Sequence, residues 1–152
     1  MQNKIQQSVF SGVVGTIIMT LLMMLGSAMG MPKMSPPAML AGMMGVPVIF
    51  GWVIHFLIGI VFAAGYVFFF NNWLKKMTSK IARGAFYGIV AFFMAQIGFP
   101  VMAAISGSST MPQPEGSMLL MIIGSVLGHV FFGIAIAVLV KPVAPLTKQI
   151  IR

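Results

Sequence analysis

The sequence predicts an all-α, polytopic membrane protein of four transmembrane helices, built as two similar helical hairpins with both termini on one side of the bilayer. Three observations carry that prediction. Hydrophobic residues make up 59% of the chain and charged residues 7%, where a soluble domain carries about 25% charged residues. Four apolar runs each reach the length of about 20 residues that spans a bilayer. Lysine and arginine gather at the ends of those runs, and on one side of them.

The first span is expected from Ile5 to Met29 and the second from Val46 to Phe70. The third runs from Ile81 to Ile105 and the fourth from Ser117 to Val140. The first has Lys4 before it and small residues at Ser27 and Ala28, as a secretory signal does. Its apolar stretch is longer than the roughly 7–15 residues of a signal core, so a retained helix is expected. Lys4, Lys75, Lys76, Lys80, Arg83, Lys141, Lys148 and Arg152 fall on one side of the spans, and only Lys33 on the other. Basic loops stay in the cytoplasm, so both termini are expected there. The hairpins divide the chain into residues 1–74 and 75–152 of a single membrane domain. The short basic connection after Phe70 makes the second and third spans antiparallel neighbours.

Between the first two spans, Pro32, Pro36 and Pro37 stop one helix. Pro37 suits the first position of a short helix over Ala38 to Met44. That piece has no charge and is expected in the outer headgroup region. The connection after Ser106 is polar and rich in proline, and it holds Glu115, the one acid of the chain.

The halves repeat. Gly51, His55, Gly59 and Ala63 stand four apart, and so do Ser125, His129, Gly133 and Ala137. A shift of 74 aligns them, and a shift of 72 pairs Gly12 with Gly84 and Gly26 with Gly98. Spacing of four places each set on one helix face. Small residues there let helices approach closely. Gly51, Gly59, Ala63, Ser125, Gly133 and Ala137 are therefore expected at helix–helix contacts, with a histidine in each groove.

The G-W-x-x-H-F-x-x-G stretch (Gly51 to Gly59), the G-H-x-x-x-G stretch (Gly128 to Gly133) and the G-x-x-G-T stretch (Gly12 to Thr16) resemble a family of small four-helix bacterial inner-membrane proteins of unknown function. The resemblance spans nearly the whole chain. It implies the fold and the inner membrane, and it supplies no activity.

The composition excludes much. There is no cysteine, hence no disulfide, thiolate metal site or cysteine nucleophile. With a single acid there is no carboxylate pair. No catalytic triad order, phosphate loop or nucleotide fingerprint occurs. The net charge of +8 sits at span ends, which points to lipid headgroups rather than nucleic acid. A non-enzymatic protein is expected, foremost an accessory or structural subunit packing within a larger membrane complex or with itself.

Two other classes stay open. Thr20, His55, Gln96 and His129 fall at similar depths on four helices, and would line the path of a small-solute or ion carrier or channel. His55 and His129 would also serve as axial ligands of haem b. Their ordinary role is a neutral imidazole hydrogen-bonded to a neighbouring helix. Methionine is abundant, 16 of 152 residues, and thioethers suit Cu(I). Met31, Met34, Met39, Met43 and Met44 cluster in the first outer connection, with Met111, Met118 and Met121 near the second. Methionine also fills irregular apolar packing, and Met19, Met23 and Met24 extend the enrichment beyond the loops.

Overall fold

The computed structural model describes residues 3–107 and 116–141. The expectations for Met111, Glu115, Lys148 and Arg152 lie outside the described residues. All regular elements among those described are helical: α1 (Lys4–Ala28), α2 (Pro36–Met44), α3 (Val48–Gly65), a single turn α4 (Asn71–Trp73), α5 (Lys80–Ser106) and α6 (Met118–Leu139). Between α3 and α4 the chain winds as a π turn over Tyr66–Phe70, and after α4 as a 3-10 turn over Leu74–Lys76. Among the described residues, four helices are long and apolar enough to cross a membrane: Lys4–Ala28, Val48–Lys76, Lys80–Ser106 and Met118–Leu139.

Local chemistry sets the ends. Asn3 and Gln6 form a reciprocal capping box at the start of α1. The Ser35 hydroxyl accepts from Ala38 N–H at the start of α2, and the Ser79 hydroxyl from Ala82 N–H at the start of α5. Pro36 and Pro37 occupy the first turn of α2, where a missing N–H costs nothing. Gly45 and Gly107 end α2 and α5 in the left-handed region, at φ 63° and 68°.

The basic residues meet at one end of the molecule. There the Lys80 ammonium donates to the Val138 and Val140 carbonyls, left open where α6 stops. The Lys4 ammonium lies 5.3 Å from the centre of the Phe68 ring, and Lys141 N–H donates to buried Gln7. The opposite end is rich in methionine and carries α2.

Packing runs in the order α3, α1, α6, α5. In the first hairpin, a Cβ on Gly12 would lie 2.6 Å from Ile60 Cα. In the second, a Cβ on Gly84 would lie 2.5 Å from Ile134 Cα. Gly88 and Gly133 are pressed together in the same α5–α6 contact. Glycine is required at these places because backbone meets backbone.

The expected adjacency of the second and third spans holds only near the basic end. There Tyr66, Phe70 and Trp73 meet Tyr87 and Phe86 ring against ring. Tyr87 hydroxyl donates to the Phe62 carbonyl, beside the π turn. Toward the methionine-rich end α3 and α5 line opposite sides of a cavity. A short loop constrains only the ends it joins. The expected short helix is present as α2, which packs on α3 and buries Leu40 and Met43.

Candidate functional site

The cavity between α3 and α5 has a volume of about 790 Å³. Thr16, Met19 and Met23 of α1 and Ser125, His129 and Phe132 of α6 form its back wall. Leu57, Val61 and Phe62 of α3 face Met94, Gly98 and Met102 of α5 across it. Leu57, Val61 and Met94 are also exposed on the outside of the molecule, so the cavity opens sideways as a seam. Pro36, Met39, Leu40 and Met43 of α2 line it at the methionine-rich end. Toward the basic end it stops at Phe62, Phe92 and Phe132, and the buried Tyr66 and Tyr87 rings pack behind them at 5.1 Å between centroids.

Both histidines reach this cavity, and both are almost fully buried. Their hydrogen bonds assign the tautomers. The His129 Nδ1 atom lies 2.8 Å from the Ser125 carbonyl. A carbonyl only accepts, so Nδ1 carries the proton and Nε2 of the neutral ring is bare. The edge of the Phe92 ring packs against the same imidazole at 5.7 Å between centroids.

At His55 the logic runs through Thr20. The Thr20 hydroxyl donates its one proton to the Thr16 carbonyl at 2.8 Å. It lies 3.2 Å from His55 Nε2 and is left to accept there. His55 therefore carries its proton on Nε2 and leaves Nδ1 bare. Each ring is held by one nitrogen to the protein and keeps a lone pair on the other, as imidazoles that ligate metals commonly do.

The expected polar layer is brought together in part. His55, Gln96 and His129 line the cavity. Thr20 reaches it only through His55. Pro100, inside α5, has no N–H to give the Gln96 carbonyl one turn earlier. Thr16 was not singled out by the sequence, yet it lines the cavity and its hydroxyl would collide with any side chain at Gly59. The G-x-x-G-T spacing was its signal.

The small residues divide among three partners. Gly59 meets Thr16 of α1, Gly133 meets Gly84 and Gly88 of α5, and Gly51 meets the Pro37 carbonyl of α2. Ala63 and Ala137 are buried in the core, while Ser125 faces the cavity. Of the loop methionines, Met34, Met39 and Met43 line the cavity. Met31 lines a smaller pocket of about 200 Å³ beside it. Met44 is exposed.

No group of three or more His, Cys, Asp or Glu placed to hold a metal ion occurs among the described residues. A bis-histidine haem would need His55 to bind through Nδ1, since Thr20 holds Nε2. That atom is crowded by the residue's own Cβ.

Residues 2–149 match the family of unknown function DUF6789, and the chain belongs to that family. No curated protein and no solved structure matched the chain.

Proposed function

We propose that this member of a family of unknown function is a non-enzymatic, four-span protein of a bacterial inner membrane that binds a small ligand in the seam between α3 and α5. The basic end lies in the cytoplasm with both termini, and the methionine-rich end faces outward. The observation that carries this reading is the cavity itself. It is apolar on most sides, open toward lipid, closed toward the basic end, and supplied with two imidazoles whose free nitrogens have no partner among the described residues. Pockets of this size with few convergent polar groups are the common form of a ligand site.

The two hairpins are read as one unit used twice. The matched contacts of Gly12 with Ile60 and Gly84 with Ile134 support that reading. A unit of two helices keeps its orientation when repeated, so the halves relate by an axis along the membrane normal.

Native mass spectrometry of the protein, purified from its own membrane in mild detergent, tests the proposal. The expected result is a bound small molecule or ion that is lost in Gly98→Trp. A Cβ at Gly98 meets nothing within 4 Å, so the indole projects into the seam without disturbing a helix contact. Wild-type protein free of any bound species would overturn the reading.

One observation favours a second reading, an accessory subunit. Ala95 and Gly98 give the α5 side of the seam a small-residue surface, on which a helix of another chain could seat. Co-purification of a second polypeptide at fixed stoichiometry, in place of a small ligand, would support it.

A further inference from the structure

We propose that the ligand of this cavity is Cu(I), entering from the methionine-rich end and held by thioethers together with the free nitrogens of His55 and His129. The inference rests on the reading of the seam as a ligand site.

The methionines are not spread evenly. Nine of the 28 residues that line the cavity are methionine, against 16 of 152 in the chain. They come from α1, α2, α5 and α6, including Met39 and Met43 of α2 and Met94 and Met102 of α5, while α3 contributes His55. Filling of irregular space accounts for some methionine in any apolar core. It does not account for two imidazoles in the same cavity that each keep a nitrogen without a partner among the described residues.

The methionines are also graded in depth along α6. A Cβ on Gly124 would lie 3.0 Å from Met31 Cε and 3.5 Å from Met34 Sδ. One turn deeper, a Cβ on Gly128 would lie 3.0 Å from Met23 Cε and 3.4 Å from Met19 Cγ. His129 follows at once. Gly124 and Gly128 line the smaller pocket, and Met23 and Met34 line both it and the cavity, so thioethers run from the outer connection to the helix turn that carries His129.

The donor set chooses the metal. Thioether sulfur is soft and imidazole is borderline, a combination suited to Cu(I). All these donors are neutral, and the described residues include no Asp or Glu. A divalent ion would bring a second positive charge into an apolar site with no anion among the described residues to offset it, which is costly. Zn(II) and hard ions such as Mg(II) are disfavoured on both counts.

The test is a Cu(I) titration of the detergent-purified full chain in oxygen-free, reducing buffer, against a chromogenic Cu(I) chelator. About one Cu(I) per chain is expected, displaced by Ag(I) and not by Zn(II). X-ray absorption should place both sulfur and nitrogen around the metal. Thr20→Val, which removes the oxygen that positions His55, should weaken binding by about tenfold, with Thr20→Ser restoring it. Met39→Leu with Met43→Leu conserves volume and should weaken binding at least as much, while Met44→Leu, outside the cavity, leaves it unchanged. Absence of Cu(I) binding, or equal binding in the Met39→Leu/Met43→Leu protein, would overturn the proposal. An organic molecule that co-purifies and is lost in Gly98→Trp would then leave the ligand cavity standing without copper. The loss of both would remove the cavity reading as well.

Discussion

Thr20 spends its only proton on the Thr16 carbonyl, and that decides which nitrogen of His55 faces the cavity. The histidines and their small neighbours at spacing four were legible in the sequence. The tautomers were not, because they depend on the hydroxyl of a different helix. The same gap separates glycines that look alike in a list. Gly88 and Gly98 are both in α5, ten residues apart. A Cβ on Gly88 would lie 2.3 Å from the His129 carbonyl, whereas one on Gly98 would meet nothing within 4 Å. Gly88→Ala must push α5 off α6, and overpacking of this kind costs about 1–3 kcal/mol. Gly98→Ala should be neutral or mildly stabilising, since alanine is the better helix former by about 0.5–1 kcal/mol. Thermal unfolding in one detergent separates the two, and equal behaviour would contradict the packing of α5 on α6. Thr20→Val removes one interhelical hydrogen bond, so its cost to stability should be small, about 0.6 kcal/mol.

Each of the four long helices begins within two residues of the position read from hydropathy, and the proline signal located α2 to within two residues of its start. Length and capping are properties of one segment, so one segment reveals them. Partners are not. The lack of charge in α2 named no partner for it, and Leu40 and Met43 are buried as it packs on α3. The contact hinges on Gly51, where a Cβ would fall 2.0 Å from the Pro37 carbonyl. Gly51→Ala should therefore displace α2 from the mouth of the cavity. A cysteine at Leu40, which is 1% exposed, should resist a thiol reagent in the parent and react when Gly51→Ala is added. Unchanged protection would mean that α2 is held by something other than this contact. The second span likewise runs on past Phe70 to Lys76, through a π turn no hydropathy profile contains. Tyr87 hydroxyl bonds the Phe62 carbonyl there. Tyr87→Phe should loosen the basic-end closure of α3 on α5 at a cost of about 1 kcal/mol.

At the scale of the whole molecule, a twofold repeat of one hairpin would produce two equal seams, α1 on α6 and α5 on α3. The first is packed except at the small pocket near its methionine-rich end, and the second is closed only near the basic end. Sequence similarity between the halves could not foretell that difference, because it resides in the residues that do not repeat, such as Pro100 and the aromatic run after Gly65. In lipid the open seam carries little penalty. Acyl chains solvate its apolar walls as well as side chains do, so hydrophobicity alone does not force the helices shut. Which compartment supplies the ligand then depends on orientation. The Lys80, Lys4 and Lys141 contacts gather the basic residues at one end, and the proposed orientation, with basic loops retained in the cytoplasm, would put the cavity mouth outside. The chain has no cysteine, so single introduced thiols give an unambiguous readout. Lys33→Cys should be labelled in intact cells by a membrane-impermeant maleimide. Lys75→Cys should be labelled only after the membrane is opened. The reverse pattern would place the methionine-rich end in the cytoplasm. The cavity would then draw on the reducing, metal-buffered side of the membrane, and entry from outside would have to be abandoned even if Cu(I) binds.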